Sequence, residues 1–185
     1  MSTIHYRNAK LPDIGGLLTV INAYAADGIM LPRTEFELAE NIRDFIVAVE
    51  DGGIIGCGAL HFYTPRSAEV RSLAVSPKKK TAGVGRRIVE LLEAEAREQE
   101  LQSIFAFTYV QGFFEKLGFS QVDRGELPLK AWKDCLRCPK FQACDEIAML
   151  KQLAEPSVNP SDGPFRILDL PSSGVLPTAW KRGEL

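Results

Sequence analysis

The sequence predicts an α/β fold, helices flanking a central sheet, and three observations carry that expectation. Two apolar runs are joined at Glu50-Asp51-Gly52-Gly53, where Asp-Gly supplies the positive φ angles of a tight hairpin. Glu69 to Glu100 reads as strand, glycine turn and amphipathic helix, the pattern of a right-handed crossover. Ser103 to Tyr109 is apolar almost throughout, as a strand covered on both faces is. With 185 residues, 45% of them hydrophobic and 25% charged, the chain is long enough to bury one good core.

Taken in order, Ile4 to Tyr6 predict a short strand, and Pro12-Asp13 opens a helix whose core face is Leu11, Ile14, Leu17, Leu18 and Ile21. After Asp27-Gly28, Thr34 and Glu37 form a capping box for a second helix reaching about Ile42. Arg33, between these helices, is either a solvated charge or a binding cation. Phe45 to Val49 and Ile54 to Phe62 are the hairpin strands, with Gly56 and Gly58 where the sheet bends or another group comes close. In the strand Val70 to Val75, alternation places Glu69, Arg71, Leu73 and Val75 on one face and Val70, Ser72 and Ala74 on the other. Glu69 and Arg71 are thus either a structural ion pair or part of a site.

The turn Lys80-Thr81-Ala82-Gly83-Val84-Gly85 is basic and puts glycines at a helix start, so its backbone N–H groups can hold a phosphate. The helix from Arg86 to about Glu98 has Val84, Ile88, Leu91, Leu92 and Ala96 inside and a Glu93–Arg97 pair outside. Gly112 to Leu117 predict a short helix stopped by Gly118, Phe119 to Val122 a strand, and Ile147 to Leu150 a candidate last strand. From Glu155, five prolines are spread over thirty residues among glycines and serines. The expected organisation is a domain at 1–153 and a tail at 154–185, either disordered or an extended arm burying Phe165, Ile167 and Trp180.

A formal net charge of −2 and a pI near 5.8 give no global attraction for nucleic acid or an anionic membrane. No apolar run approaches the roughly 20 residues of a membrane span, and the polar start Met1 to Lys10 lacks an apolar signal core. The expectation is a cytoplasmic protein without nucleic-acid or membrane partners. Cys135, Cys138 and Cys144, followed by Asp145, are candidates for a structural zinc site completed from elsewhere, or for an iron–sulfur cluster. Reduced cysteines in a packed segment are the default, because a zinc ribbon shows two paired motifs and here there is one. The lone histidines, His5 and His61, read as structural or surface residues.

The basic-x-x-Gly-x-Gly turn (Lys80, Gly83, Gly85) and, one helix and one strand later, Phe113-Phe114-Glu115-Lys116-Leu117-Gly118-Phe119 together resemble the GNAT family of acetyl-CoA-dependent N-acetyltransferases. The resemblance covers about residues 3–150. Within that family the chain is similar to the short, stand-alone bacterial N-acetylglutamate synthases of arginine biosynthesis. The likeness lies in Gly28-Ile29-Met30-Leu31-Pro32-Arg33, Asn41 to Phe45, Gly56 to Leu60, Glu69 to Val75, and Cys135 to Phe141. It implies the GNAT fold, a mixed and mostly antiparallel sheet, and direct acetyl transfer from acetyl-CoA to L-glutamate in a ternary complex. Homodimerisation is compatible with it.

The resemblance also implies roles. Leu73, Ala74 and Val75 would offer backbone groups to the pantetheine arm, while Ala82, Gly83, Val84, Gly85 and Arg86 cradle the pyrophosphate beside Lys80. Phe114 would lie against the coenzyme. Glu69 is the candidate base, with Thr108 or Tyr109 orienting water or protonating the thiolate; for Tyr109 the alternative is a packed aromatic. Leu31, Arg33 and Arg71 would line the acceptor pocket, two guanidinium forks suiting two carboxylates. Two departures stand out. Lys80 and Thr81 occupy positions where the family has Arg or Gln and often a glycine, and lysine lacks the planar fork. Phe114 stands where many members have a proton-donating tyrosine. The alternatives are another amino acid, a small amine or a protein amino group as acceptor, or a regulatory module that binds acetyl-CoA without turnover.

Overall fold

The computed structural model describes residues 3–79, 82–127 and 138–154; Lys80, Cys135 and the tail expected at 154–185, beyond its first residue, lie outside them. Among the described residues the sheet has seven strands: β1 (His5–Asn8), β2 (Phe45–Glu50), β3 (Gly53–Thr64), β4 (Ser67–Val75), β5 (Ser103–Thr108), β6 (Ser120–Gln121) and β7 (Ile147–Gln152). Their order is β1-β2-β3-β4-β5-β7-β6. Only the β4–β5 pair is parallel, so the sheet is mixed and mostly antiparallel, as the resemblance implied. The predicted hairpin joins β2 to β3 with positive φ at both turn residues, 49° at Asp51 and 79° at Gly52. The candidate last strand is β7, which slots between β5 and β6 and pairs antiparallel with both.

Among the described residues four α-helices cover the sheet: α1 (Ile14–Ala26), α2 (Glu35–Glu40), α3 (Val84–Glu98) and α4 (Gln111–Glu115). Alternation along β2 feeds both sides, with Phe45 and Val47 packing against α1 and α2, and Ile46 and Ala48 against α3. The inner face of α3 is Val84, Ile88, Val89, Leu92 and Ala96, each at most 1% exposed. Burying a Val, Ile or Leu side chain this completely stabilises by about 1.5–3 kcal/mol. The predicted Leu91 packs only at the edge of that core. Leu11 departs from its expected place in the core. It sits in a short turn before α1 and is 60% exposed, because the helix that would turn it inward begins only at Ile14.

Gly58 explains how closely α3 approaches the sheet. A Cβ there would lie 2.8 Å from Ile88 Cγ2 and 3.2 Å from Leu73 Cδ1, so any side chain would push the helix away. The same place corrects the expected alternation of β4. Cys57 pairs with Ala74 but Ala59 pairs with Arg71, so Gly58 alone opposes both Ser72 and Leu73. Ser72 takes φ 52°, and this β-bulge reverses the parity of everything after it. Leu73 and Val75 therefore join Val70 on the α3 side, while Ala74 packs on the α1 side. Glu69 and Arg71 keep their common face, opposite His61 and Ala59.

Candidate functional site

Parallel pairing between β4 and β5 stops early. Ser67, Ala68 and Glu69 pair with Ser103, Ile104 and Phe105, and beyond them the two strands diverge. A cavity of about 610 Å³ opens in the gap. Leu31, Arg33, Glu69, Arg71, Leu73, Thr108, Tyr109 and Phe114, each singled out in the sequence, all line it. Ala74, Val75 and the 82–86 turn do not.

Glu69 is the last residue of β4 to pair with β5, and its side chain is 1% exposed. Arg71, two residues on, is held from the side: its Nη2 lies 3.5 Å from Asn41 Oδ1 and 4.0 Å from Asp44 Oδ2. Asp44 also reaches His61, Oδ2 to Nδ1 at 2.8 Å. Arg33 comes from the α1–α2 connection, whose backbone is pinned by Asn22. The Arg33 N–H donates to Asn22 Oδ1 at 2.9 Å, and Asn22 Nδ2 donates to the Arg33 carbonyl at 3.0 Å. Just after it, the predicted capping box forms, Thr34 N–H donating to Glu37 Oε2 at 2.9 Å and Glu37 N–H to Thr34 Oγ1 at 3.2 Å. Tyr24 ties α1 to the end of β4 by donating its hydroxyl to the Val75 carbonyl at 2.5 Å.

Across the cavity, Thr108 Oγ1 accepts from Val110 N–H at 3.0 Å and turns the chain out of β5. Tyr109 donates to Asp145 at 2.8 Å and accepts from Lys140 Nζ at 3.1 Å, with that ammonium 4.8 Å from its ring centroid. Burial pushes the phenol above its ordinary value; the Lys140 contact opposes this and the Asp145 contact reinforces it. Tyr109 is therefore protonated across the physiological range. Phe114 is 3% exposed and meets Phe113 and Phe119 edge-on at 5.2 and 5.1 Å, so the ring is as much core as lining.

The turn into α3 is shaped for an anion. Gly83 is its N-cap at φ 74°, no side chain caps the helix, and its first-turn N–H groups have no partner within the helix. The Arg86 side chain instead runs along the outside of α3, donating to Glu90 at 2.8 Å, and Val84 is buried, so both offer backbone alone to a ligand. Lys79, at the end of the described part of the basic run, is engaged by Glu50 at 2.6 Å.

Sequence reasoning missed Asn22, Tyr24, Asn41 and Asp44, which hold the site residues in place, and the lining residues Arg124, Lys140 and Glu146. Asn22 and Tyr24 read as ordinary polar positions of α1, and Asn41 and Asp44 lie in a stretch that carries the resemblance but suggests no role by itself, because the residues they hold come from other segments. The zinc candidates also line the cavity, Cys138 and Cys144 among the described residues. Among those residues no group of three or more His, Cys, Asp or Glu side chains could hold a metal, so zinc finds no support there. Cys57 is sealed in the core, where burial pushes its thiol up to about 12. No helix among the described residues is long and apolar enough to cross a membrane.

Residues 41–121 match the family described as an acetyltransferase (GNAT) domain. An uncharacterised N-acetyltransferase of Chlorobaculum tepidum is 44% identical over 147 residues, covering 80% of this chain and 95% of the relative. An amino-acid acetyltransferase of Mycobacterium tuberculosis is 32% identical over 120 residues, 63% of this chain and 68% of the relative. Among solved structures, N-acetylglutamate synthase from Neisseria gonorrhoeae, complexed with coenzyme A and N-acetyl-glutamate, is similar with a TM-score of 0.74 at 25% identity. That likeness covers 84% of this chain and 36% of the longer one. Of three other relatives named amino-acid acetyltransferase, the chain spans 28 to 34% of the length.

Proposed function

The chain belongs to the GNAT family of N-acetyltransferases, and we propose that it moves the acetyl group of acetyl-CoA to the α-amino group of L-glutamate. The observation that carries this is the convergence of a buried carboxylate, Glu69, with two arginines from separate segments, Arg33 and Arg71, on one cavity. Glutamate brings an ammonium and two carboxylates, and these three side chains match it in number and sign. The names of the relatives support the same acceptor class.

In this mechanism Arg33 and Arg71 hold the carboxylates, and Glu69 removes a proton from the ammonium. The neutral amine then attacks the thioester carbon. A backbone N–H from the bulge of β4, where Ser72 and Leu73 line the cavity, faces the oxygen on which negative charge gathers. The amide bond forms as the carbon–sulfur bond breaks, and the departing thiolate takes a proton. Phe114 has none to give. Tyr109 lines the cavity with its proton retained, so it is the donor in this proposal, Thr108 serving to shape the chain beside it. The uncapped start of α3 holds the pyrophosphate, Gly83 to Arg86 contributing backbone N–H groups, while the Ala82 N–H already donates to the Lys79 carbonyl at 3.1 Å.

The test follows coenzyme A release from acetyl-CoA across a panel of amino acids and amines. Release that depends on L-glutamate is the expected outcome. Release only with a different acceptor overturns the glutamate assignment, and binding of acetyl-CoA without release under any condition overturns transfer altogether.

A further inference from the structure

Glu69 takes a proton on its cavity side, and at 1% exposure little of it meets water directly. Directly across the β3–β4 ladder from Glu69 stands His61. Opposed residues on antiparallel strands share a face, with Cβ atoms about 4.5–5.5 Å apart, so an imidazole and a carboxylate in this register are within reach of each other. The His61 side chain is 17% exposed and does not line the cavity, so its ring has its own contact with solvent. Its Nδ1 is 2.8 Å from Asp44 Oδ2. A neutral imidazole that donates Nδ1–H to a carboxylate keeps the lone pair on Nε2, and the same carboxylate stabilises the imidazolium once Nε2 is protonated.

We propose that His61 is a proton-relay residue that empties Glu69 after each turnover, with Asp44 orienting its ring. The inference rests on Glu69 being the base. An N–H bond of the acceptor ammonium breaks as an O–H bond forms on Glu69. That O–H bond breaks as Nε2–H forms on His61, and the imidazolium passes its proton to water, returning Glu69 and His61 to their starting forms. No electrons change hands. The charged and titratable groups facing His61 are Asp44 from the α2–β2 connection, Glu69 and Arg71 from β4, and Tyr63 on its own strand, whose ring meets it edge-on at 5.1 Å. Arg71 shares Asp44 at 4.0 Å, which places a fixed cation beside the relay.

His61→Ala, assayed by steady-state turnover with whichever panel amine supports release, is expected to lower kcat about tenfold or more, while the acetyl transfer of the first turnover keeps its parent rate. The affinities for acceptor and acetyl-CoA should stay at the parent level, and added imidazole should restore kcat. An unchanged kcat, or a loss that imidazole does not restore, overturns the relay. Should His61→Ala lose its native circular dichroism, His61→Gln decides, since its amide can still hydrogen-bond Asp44 but cannot carry a proton. The same slowing is then expected, and parental rates overturn the proposal. Glu69→Gln separates the two claims. Parental activity in that variant removes the base itself, whereas an inactive Glu69→Gln beside a fully active His61→Ala removes the relay alone.

Discussion

The two ends of the β4 strand are built on different principles. Toward its end, at the Ser72 bulge, and again at the start of α3, the protein offers backbone: N–H groups freed by a kink at φ 52° and by an uncapped helix with Gly83 at φ 74°. Around Glu69 and Arg71 it offers side chains, and the two arginines are held by residues from other segments, Arg71 by Asn41 and Asp44, the Arg33 backbone by Asn22. A backbone site tolerates side-chain change as long as the chain path survives. A side-chain site fails one residue at a time. The contrast suits a division of labour in which a coenzyme common to the family is held by the chain path and the acceptor is selected by substitutable groups.

The largest test of that contrast is Glu69→Gln. Amide for carboxylate keeps the shape of a residue 1% exposed but removes the base. General-base contributions are typically about 10²- to 10⁴-fold, so transfer should fall by that order while acetyl-CoA binding, followed calorimetrically, stays at the parent value. A parallel loss of acetyl-CoA affinity would show that the two ends are not separable.

Next comes Arg33→Ala. Losing one charge-assisted contact to a carboxylate should raise the acceptor KM about 10- to 100-fold and leave the acetyl-CoA KM alone. Equal effects on both would erase the distinction between the two ends, and no effect on either would return Arg33 to the surface charge that its place in the sequence equally allowed. The converse is Gly83→Val. A Cβ at Gly83 meets nothing within 4 Å, so space permits the substitution, but φ 74° is strained for a β-branched residue. Acetyl-CoA affinity should weaken about tenfold as the turn relaxes, while the acceptor KM is unmoved. Steady-state kinetics with each substrate varied in turn reads both outcomes.

The contrast also explains what the sequence discloses. Local backbone shapes are the legible part: the Asp-Gly turn of the β2–β3 hairpin and, on the proposed coenzyme side, two glycines before an amphipathic run and a Phe-Phe-Glu-Lys-Leu-Gly-Phe segment, each because one short stretch dictates one backbone shape. Glu69 and Arg71 were placed on a common face correctly, since the period-two rule holds up to Arg71. It fails one residue later, because nothing in Arg71-Ser72-Leu73 announces that Gly58 will oppose two residues. The contact between Asp44 and His61, the latter read from the sequence as structural or surface, escapes for a related reason. Their pairing joins positions 17 apart through the register of β3, and neither residue is unusual where it stands. Leu11 fitted the helical period and lies outside the helix, a boundary error that periodicity alone does not prevent.

The smallest expected effect probes the support beneath the acceptor side. Thr34 caps α2 and directly follows Arg33, so its hydroxyl fixes both where the helix starts and where the arginine leaves the backbone. Thr34→Ala removes one half of the capping box and typically costs about 1 kcal/mol, which for a chain of this size lowers Tm by about 2–4 °C. If Arg33 works from a fixed backbone, the acceptor KM should also rise about twofold, because the Asn22 clamp on Arg33 remains while the residue after it loosens. The acetyl-CoA KM should not change, since α2 does not line the route from the β4 bulge to α3. A loss of stability with both KM values unmoved would show that the Asn22 clamp alone positions Arg33. A rise in the acetyl-CoA KM would instead mean that strain in the α1–α2 connection reaches the coenzyme side, through the Tyr24 bond to the Val75 carbonyl.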